Sequence, residues 1–98
     1  LKKWYKEDWS FRVTVISVGD DDNPRSCRLG FEPGDEFSAQ YACPEGFCPT
    51  AMGKLVTIEE VVRAGGDLTQ LGGDSPTSIE FICPSGVVIF SVRAERQS

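Results

Sequence analysis

Apolar and polar residues alternate from Ser10 to Val18, with Phe11, Val13 and Val15 on one side and Arg12 and Thr14 on the other. A period of two in β-branched side chains predicts a half-buried strand. Gly19-Asp20-Asp21-Asp22-Asn23-Pro24 ends it with a strong turn composition. Alternation resumes from Glu36 to Ala42, where Phe37, Ala39 and Tyr41 share one face and Glu36, Ser38 and Gln40 the other. Ahead of that strand, Glu32-Pro33-Gly34-Asp35 predicts a type II turn. Pro33 presets φ at its second position, and Gly34 supplies the positive φ of the third.

After Thr50 the period lengthens. Met52, Leu55, Ile58 and Val62 recur at steps of three and four, the apolar stripe of a helix that Thr50 would cap from Ala51 onward. Gly53 weakens the first turn, and Thr57 with Glu60 repeats a capping-box pattern. The expectation is a short helical turn running into a firmer helix from Ile58 to Arg63. Gly65-Gly66 stops it, with Arg63 near the negative end of the dipole. Ser78 to Cys83 and Val87 to Arg93 predict a hairpin about Pro84-Ser85-Gly86. Its inward set would be Ile79, Phe81 and Cys83, continued by Val87, Ile89 and Phe90. The polar residues Ala94 to Ser98 are expected to fray.

These elements predict an α+β fold, a small, mostly antiparallel sheet of about four strands packed against one main helix. At 98 residues the chain makes one domain, 1–98, with an aromatic and basic segment over residues 1–9.

Charge narrows the partners. A net charge of −5 leaves no clustered basic face for phosphates, which argues against nucleic acid. Lys2, Lys3 and Lys6, interleaved with Trp4, Tyr5 and Trp9, read as a solvated terminus or, through the aromatics, as a homodimer contact. No apolar run approaches the roughly 20 residues of a membrane span, and the amino end lacks a signal peptide's apolar centre. The expected location is the cytoplasm, where thiols stay reduced. Asp20-Asp21-Asp22 lacks the alternating ligands of a calcium loop and reads as a solvated turn.

The candidate chemistry is sulfur. Cys27, Cys43, Cys48 and Cys83 all fall in turn-like segments, and three of them precede proline. With no histidine in the chain, a transition metal would rest on thiolates, which favours zinc or an iron–sulfur cluster. Cys43 and Cys48 stand at the loose limit of ligand spacing, so the fold would have to bring in the other two. Separate buried thiols, a disulfide or a redox pair are the alternatives. The absence of histidine also removes the commonest general base and every Cys-His or Ser-His arrangement. An enzyme would have to use Asp35, Glu45, Asp67 or a cysteine. Gly65-Gly66-Asp67 and Gly72-Gly73-Asp74 form a second candidate, two loops whose N–H groups could cradle an anion at the rim of a small-molecule site.

Six stretches occur in order: Trp4-Tyr5-Lys6-Glu7-Asp8, Cys27-Arg28-Leu29-Gly30, Gly34-Asp35-Glu36-Phe37, Cys43-Pro44-Glu45-Gly46-Phe47-Cys48, Arg63-Ala64-Gly65-Gly66-Asp67-Leu68 and Cys83-Pro84-Ser85-Gly86-Val87. Together they resemble a family of short prokaryotic proteins, about this size, that has no assigned function. The resemblance implies a shared role for the four cysteines. That family often carries a histidine where this chain has Phe31. The cysteines and the glycine loops carry the functional expectations: a non-enzymatic, thiol-ligated metal module that acts with a partner protein, a small-molecule-binding enzyme or enzyme subunit, or a domain with only buried structural thiols.

Overall fold

The computed structural model describes Trp4 and residues 6–97. Lys2, Lys3 and Tyr5 of the aromatic and basic segment lie outside the described residues, as does Ser98. Four strands, β1 (Trp9–Val18), β2 (Glu36–Ala39), β3 (Ser78–Ile82) and β4 (Val88–Arg96), form one sheet in the order β2-β1-β4-β3. All three pairings are antiparallel, and the one α-helix among the described residues, α1 (Pro49–Arg63), completes the expected α+β fold.

The two long strands carry the core. Phe11, Val13 and Val15 of β1 stand opposite Ala94, Val92 and Phe90 of β4, and all six are buried. Ile16 faces outward by the same alternation, and a bulge between Val15 and Ser17 then adds one residue. It restores the inward face for Val18, opposite Val88. Ala51, Leu55, Ile58 and Val62 of α1 close over this face in one hydrophobic cluster. The inward residues of β4 are thus Val88, Phe90, Val92 and Ala94, a one-residue correction to the expected hairpin register, with Ile89 on the opposite face. Its cause is the four-residue turn, in which the Gly86 N–H donates to the Cys83 carbonyl at 2.8 Å with Gly86 at φ +79°.

Three boundaries move. Helix α1 is continuous from Pro49, because Cys48 and not Thr50 is the N-cap. The Thr57 hydroxyl donates back to the Gly53 carbonyl at 3.2 Å and caps nothing. Strand β2 stops at Ala39, short of Ala42, and Tyr41 is exposed with its ring 5.1 Å from the Arg63 guanidinium. The carboxyl end is ordered by pairing up to Arg96. Ala94 donates to Thr77 and Gln97 to Asp8, so among the described residues fraying does not begin at Ala94.

Arg63 ties the helix to the amino-terminal segment and to the chain just after β2. Its Nε donates to Glu7 Oε1 at 3.3 Å, one Nη to Glu60 at 3.0 Å and the other to the Gln40 carbonyl at 2.6 Å. Beside it lies Glu59, which is 1% exposed, with Oε1 3.5 Å from Arg63 and Oε2 buried without a hydrogen-bond partner among the described residues.

Candidate functional site

The opening of α1 is built by two adjacent residues. Proline at the first helical position has the φ the helix needs and lacks only an N–H that would have no partner there. It also pushes the residue before it into extended geometry, and Cys48 has φ −70° and ψ 121°. The Cys48 carbonyl accepts from Met52, and its thiol lies 3.0 Å from the Thr50 hydroxyl.

The same local device recurs at the end of β3. Cys83 precedes Pro84, and its thiol lies 3.0 Å from the hydroxyl of Ser85, again two residues on. The Val88 N–H also donates to this sulfur at 3.3 Å. Cys83 is buried and Cys48 half-buried. The signal is visible in the chain as Cys48-Pro49-Thr50 and Cys83-Pro84-Ser85, where a hydroxyl residue follows each Cys-Pro step.

Both units face one cavity of about 440 Å³. The third wall comes from the segment after a 3-10 turn at Pro24–Ser26, which contributes Cys27, Leu29 and Phe31. The remaining surface is mostly apolar, with Val87, Val88 and Phe90 from the hairpin. Behind it Phe31, Phe37, Phe47, Phe81 and Phe90 form a chain of ring contacts with centroids 5.0–6.4 Å apart. Three cysteines from three separated segments therefore share one pocket.

The two paired thiols ionise more readily than ordinary cysteine. For Cys83, burial pushes the thiol up, but the Ser85 hydroxyl and the N–H groups of Val88, Val87 and Ser85 together outweigh it. The result is lowered to about 7. At Cys48 burial again opposes ionisation, and the Thr50 hydroxyl with the Ala51 and Thr50 N–H groups again prevails. A charge on Cys83 pushes Cys48 back up, so the two sulfurs are electrostatically coupled.

Cys43 stands apart. It is exposed, does not line the cavity, and donates its thiol proton to the Pro44 carbonyl at 3.6 Å. The Cys43–Cys48 loop is organised by Phe47, which is 6% exposed among the other rings. All four thiols are free. Among the described residues, no three Cys, Asp or Glu side chains are grouped so as to hold a metal ion. The four-cysteine set is therefore not assembled as a tetrahedral cage in this conformation.

The Gly-Gly-Asp loops lie at the other end of α1. Gly65, at φ +81°, and Gly66 donate to Val62 and Val61, the paired bonds that terminate a helix. Gly72 and Gly73 donate to Thr69 and Leu68 in the same manner. All four glycine N–H groups are thus engaged within the chain. Asp67 accepts from the Thr69 N–H and hydroxyl at 2.9 and 2.7 Å, which holds its carboxyl below the usual range. Asp74 is exposed, and neither loop lines the cavity. Asp35 likewise accepts from its own turn, at the Glu32 N–H.

A Cβ on Gly73 would strike the Ser78 carbonyl and lie 2.8 Å from that of Leu68. Gly73→Ala is expected to cost about 1–3 kcal/mol through overpacking. Gly53→Ala, in the helix with nothing near its Cβ, is expected to gain up to about 1 kcal/mol. Denaturant unfolding of both variants checks the contrast, and equal effects would remove the steric account of Gly73.

No helix among the described residues is long and apolar enough to cross a membrane. Compared with known proteins, the chain matches no family model, no curated protein and no solved structure.

Proposed function

We propose that this protein works through its sulfur-lined pocket, binding a small and mainly apolar ligand with the thiols of Cys48 and Cys83 as its reactive or holding groups. The observation that carries this reading is the meeting of Cys27, Cys48 and Cys83 on one cavity whose other walls are largely apolar. The volume lies within the roughly 300–1,000 Å³ of ordinary ligand pockets. Soft, polarisable sulfur suits an electrophilic or thiophilic partner, and the hydroxyl beside each thiol supports its anion. Such a site keeps its thiols free in a reducing compartment such as the cytoplasm.

A thiol-held metal is the second reading, favoured by the same three thiols. It would require the pocket wall to tighten around the ion, with a fourth ligand from solvent, a partner protein or a second copy of the chain. Zinc or an iron–sulfur cluster is the chemistry sulfur favours there.

Alkylation footprinting separates these. A pocket ligand found by thermal-shift screening is expected to slow iodoacetamide labelling of Cys48 and Cys83 while leaving Cys43 unchanged. Without ligand, Cys83 labelling should rise through about pH 7. Uniform protection of all four cysteines, or of none, would overturn the pocket reading. Stoichiometric zinc or iron in anaerobically purified protein would favour the metal reading instead.

A further inference from the structure

We propose that Cys48 and Cys83 form a dithiol pair that reduces a small disulfide held in the apolar cavity. This rests on the pocket reading above and names its substrate class. Among the described residues, the ionisable groups on the cavity wall are three thiols and Arg28. No carboxylate lines it, and the chain has no imidazole, so the wall lacks the proton-transfer groups that acyl or phosphoryl chemistry uses. Thiol–disulfide exchange needs none of them, because one thiolate attacks and another leaves.

Placement divides the roles. Cys48 is the more accessible of the two, at the extended residue just before α1. Cys83 is buried on the same cavity, at the end of β3. Both sit at the ends of elements, beside a turn, where a small backbone shift moves a side chain without breaking the sheet. The Thr50 and Ser85 hydroxyls, each 3.0 Å from its sulfur, are placed to stabilise a thiolate or pass a proton.

The Cys48 thiolate attacks one sulfur of a disulfide RS–SR. A Cys48–SR bond forms, the substrate S–S bond breaks, and the departing RS⁻ takes up a proton. The Cys83 thiolate then attacks Cys48 Sγ, forms the Cys48–Cys83 disulfide and expels the second RS⁻. Two electrons pass from the pair to the substrate, which leaves as two thiols. A second dithiol in solution returns the pair to the free state.

Dithiodipyridine, an apolar disulfide whose released thione is coloured, tests this on the full chain. The expected result is thione release accompanied by a Cys48–Cys83 linked peptide in the mass spectrum, with no pyridyl group retained on either residue. In Cys83→Ser, Cys48 should keep a pyridyl adduct and the linked peptide should vanish. In Cys48→Ser, Cys83 should react more slowly and stop at the adduct. Wild-type protein in which both cysteines remain capped, or in which Cys48 pairs with Cys43 or Cys27, would overturn the dithiol proposal and leave the pocket intact. Reaction at Cys43 alone, with Cys48 and Cys83 untouched, would overturn the pocket reading as well.

Discussion

Replacing Phe90 with alanine is expected to destabilise the fold by about 3–5 kcal/mol. The side chain is 0% exposed on β4, one of the two inner strands of the sheet, opposite Val15 on one side and Phe81 on the other. Its ring stacks on Phe81 at 5.1 Å and 24°, meets Phe47 at 5.3 Å, and stands edge-on to Phe31 at 6.1 Å and 82°. Each such pair adds about 0.5–1.5 kcal/mol to the area it buries. These partners come from β3, the Cys43–Cys48 loop and the segment after Cys27, so none can follow the vanished ring without moving another. Phe90 also lines the thiol pocket. The variant should therefore unfold at lower urea and expose Cys83 to faster labelling in the remaining folded population. Phe81, which is only half-buried, should cost less when truncated. A loss below about 1 kcal/mol for Phe90→Ala would mean that the aromatic chain is not a packed unit.

The sheet was legible because β1 as far as Val15, and β4, are half-buried on a period of two, and Pro33-Gly34 forms the turn its residues require, with Gly34 at φ +94°. The hairpin register was legible only to within one residue. Its inward set depends on Gly86 adopting positive φ and on the Val15–Ser17 bulge, and a hydropathy pattern records neither. Helix α1 ran together from Pro49 because tertiary burial of Ala51 and Leu55 offsets the local weakness at Gly53. The site was half visible. Cysteine position drew Cys27, Cys43, Cys48 and Cys83 into one set, and ligand spacing joined Cys43 to Cys48, whereas the fold brings Cys48, Cys83 and Cys27 to one cavity and leaves Cys43 outside it. Sequence distance carries no information on that point when Phe47, and not a thiol, is the group the loop buries. Glu59 was missed altogether. It follows Ile58 at the edge of the apolar stripe, and a carboxylate there is ordinarily taken as solvent-facing.

That residue gives the clearest pH dependence. Burial pushes the Glu59 carboxyl up to about 7, against the opposing pull of Arg63. The charges of Glu60 and Glu7 add to the rise. Because Glu59 binds its proton more tightly folded than unfolded, stability is highest below the ordinary glutamate range of about 4.3. It should fall as pH rises towards 7 and then level off with respect to this group. A rise of this size corresponds to about 3 kcal/mol across that window. Glu59→Gln keeps the shape and removes the ionisation, so its stability should lack this fall, and by pH 7.5 it should exceed the wild type. Cys83 acts in the opposite sense above about pH 7, since its lowered thiol adds stability as it ionises, so the difference between wild type and Glu59→Gln is the quantity to read. Urea unfolding of both proteins at pH 5 and pH 7.5 decides the matter. A difference that does not change between those two values would show that the buried Oε2, without a partner among the described residues, carries no proton at neutral pH and that Arg63 satisfies the carboxylate.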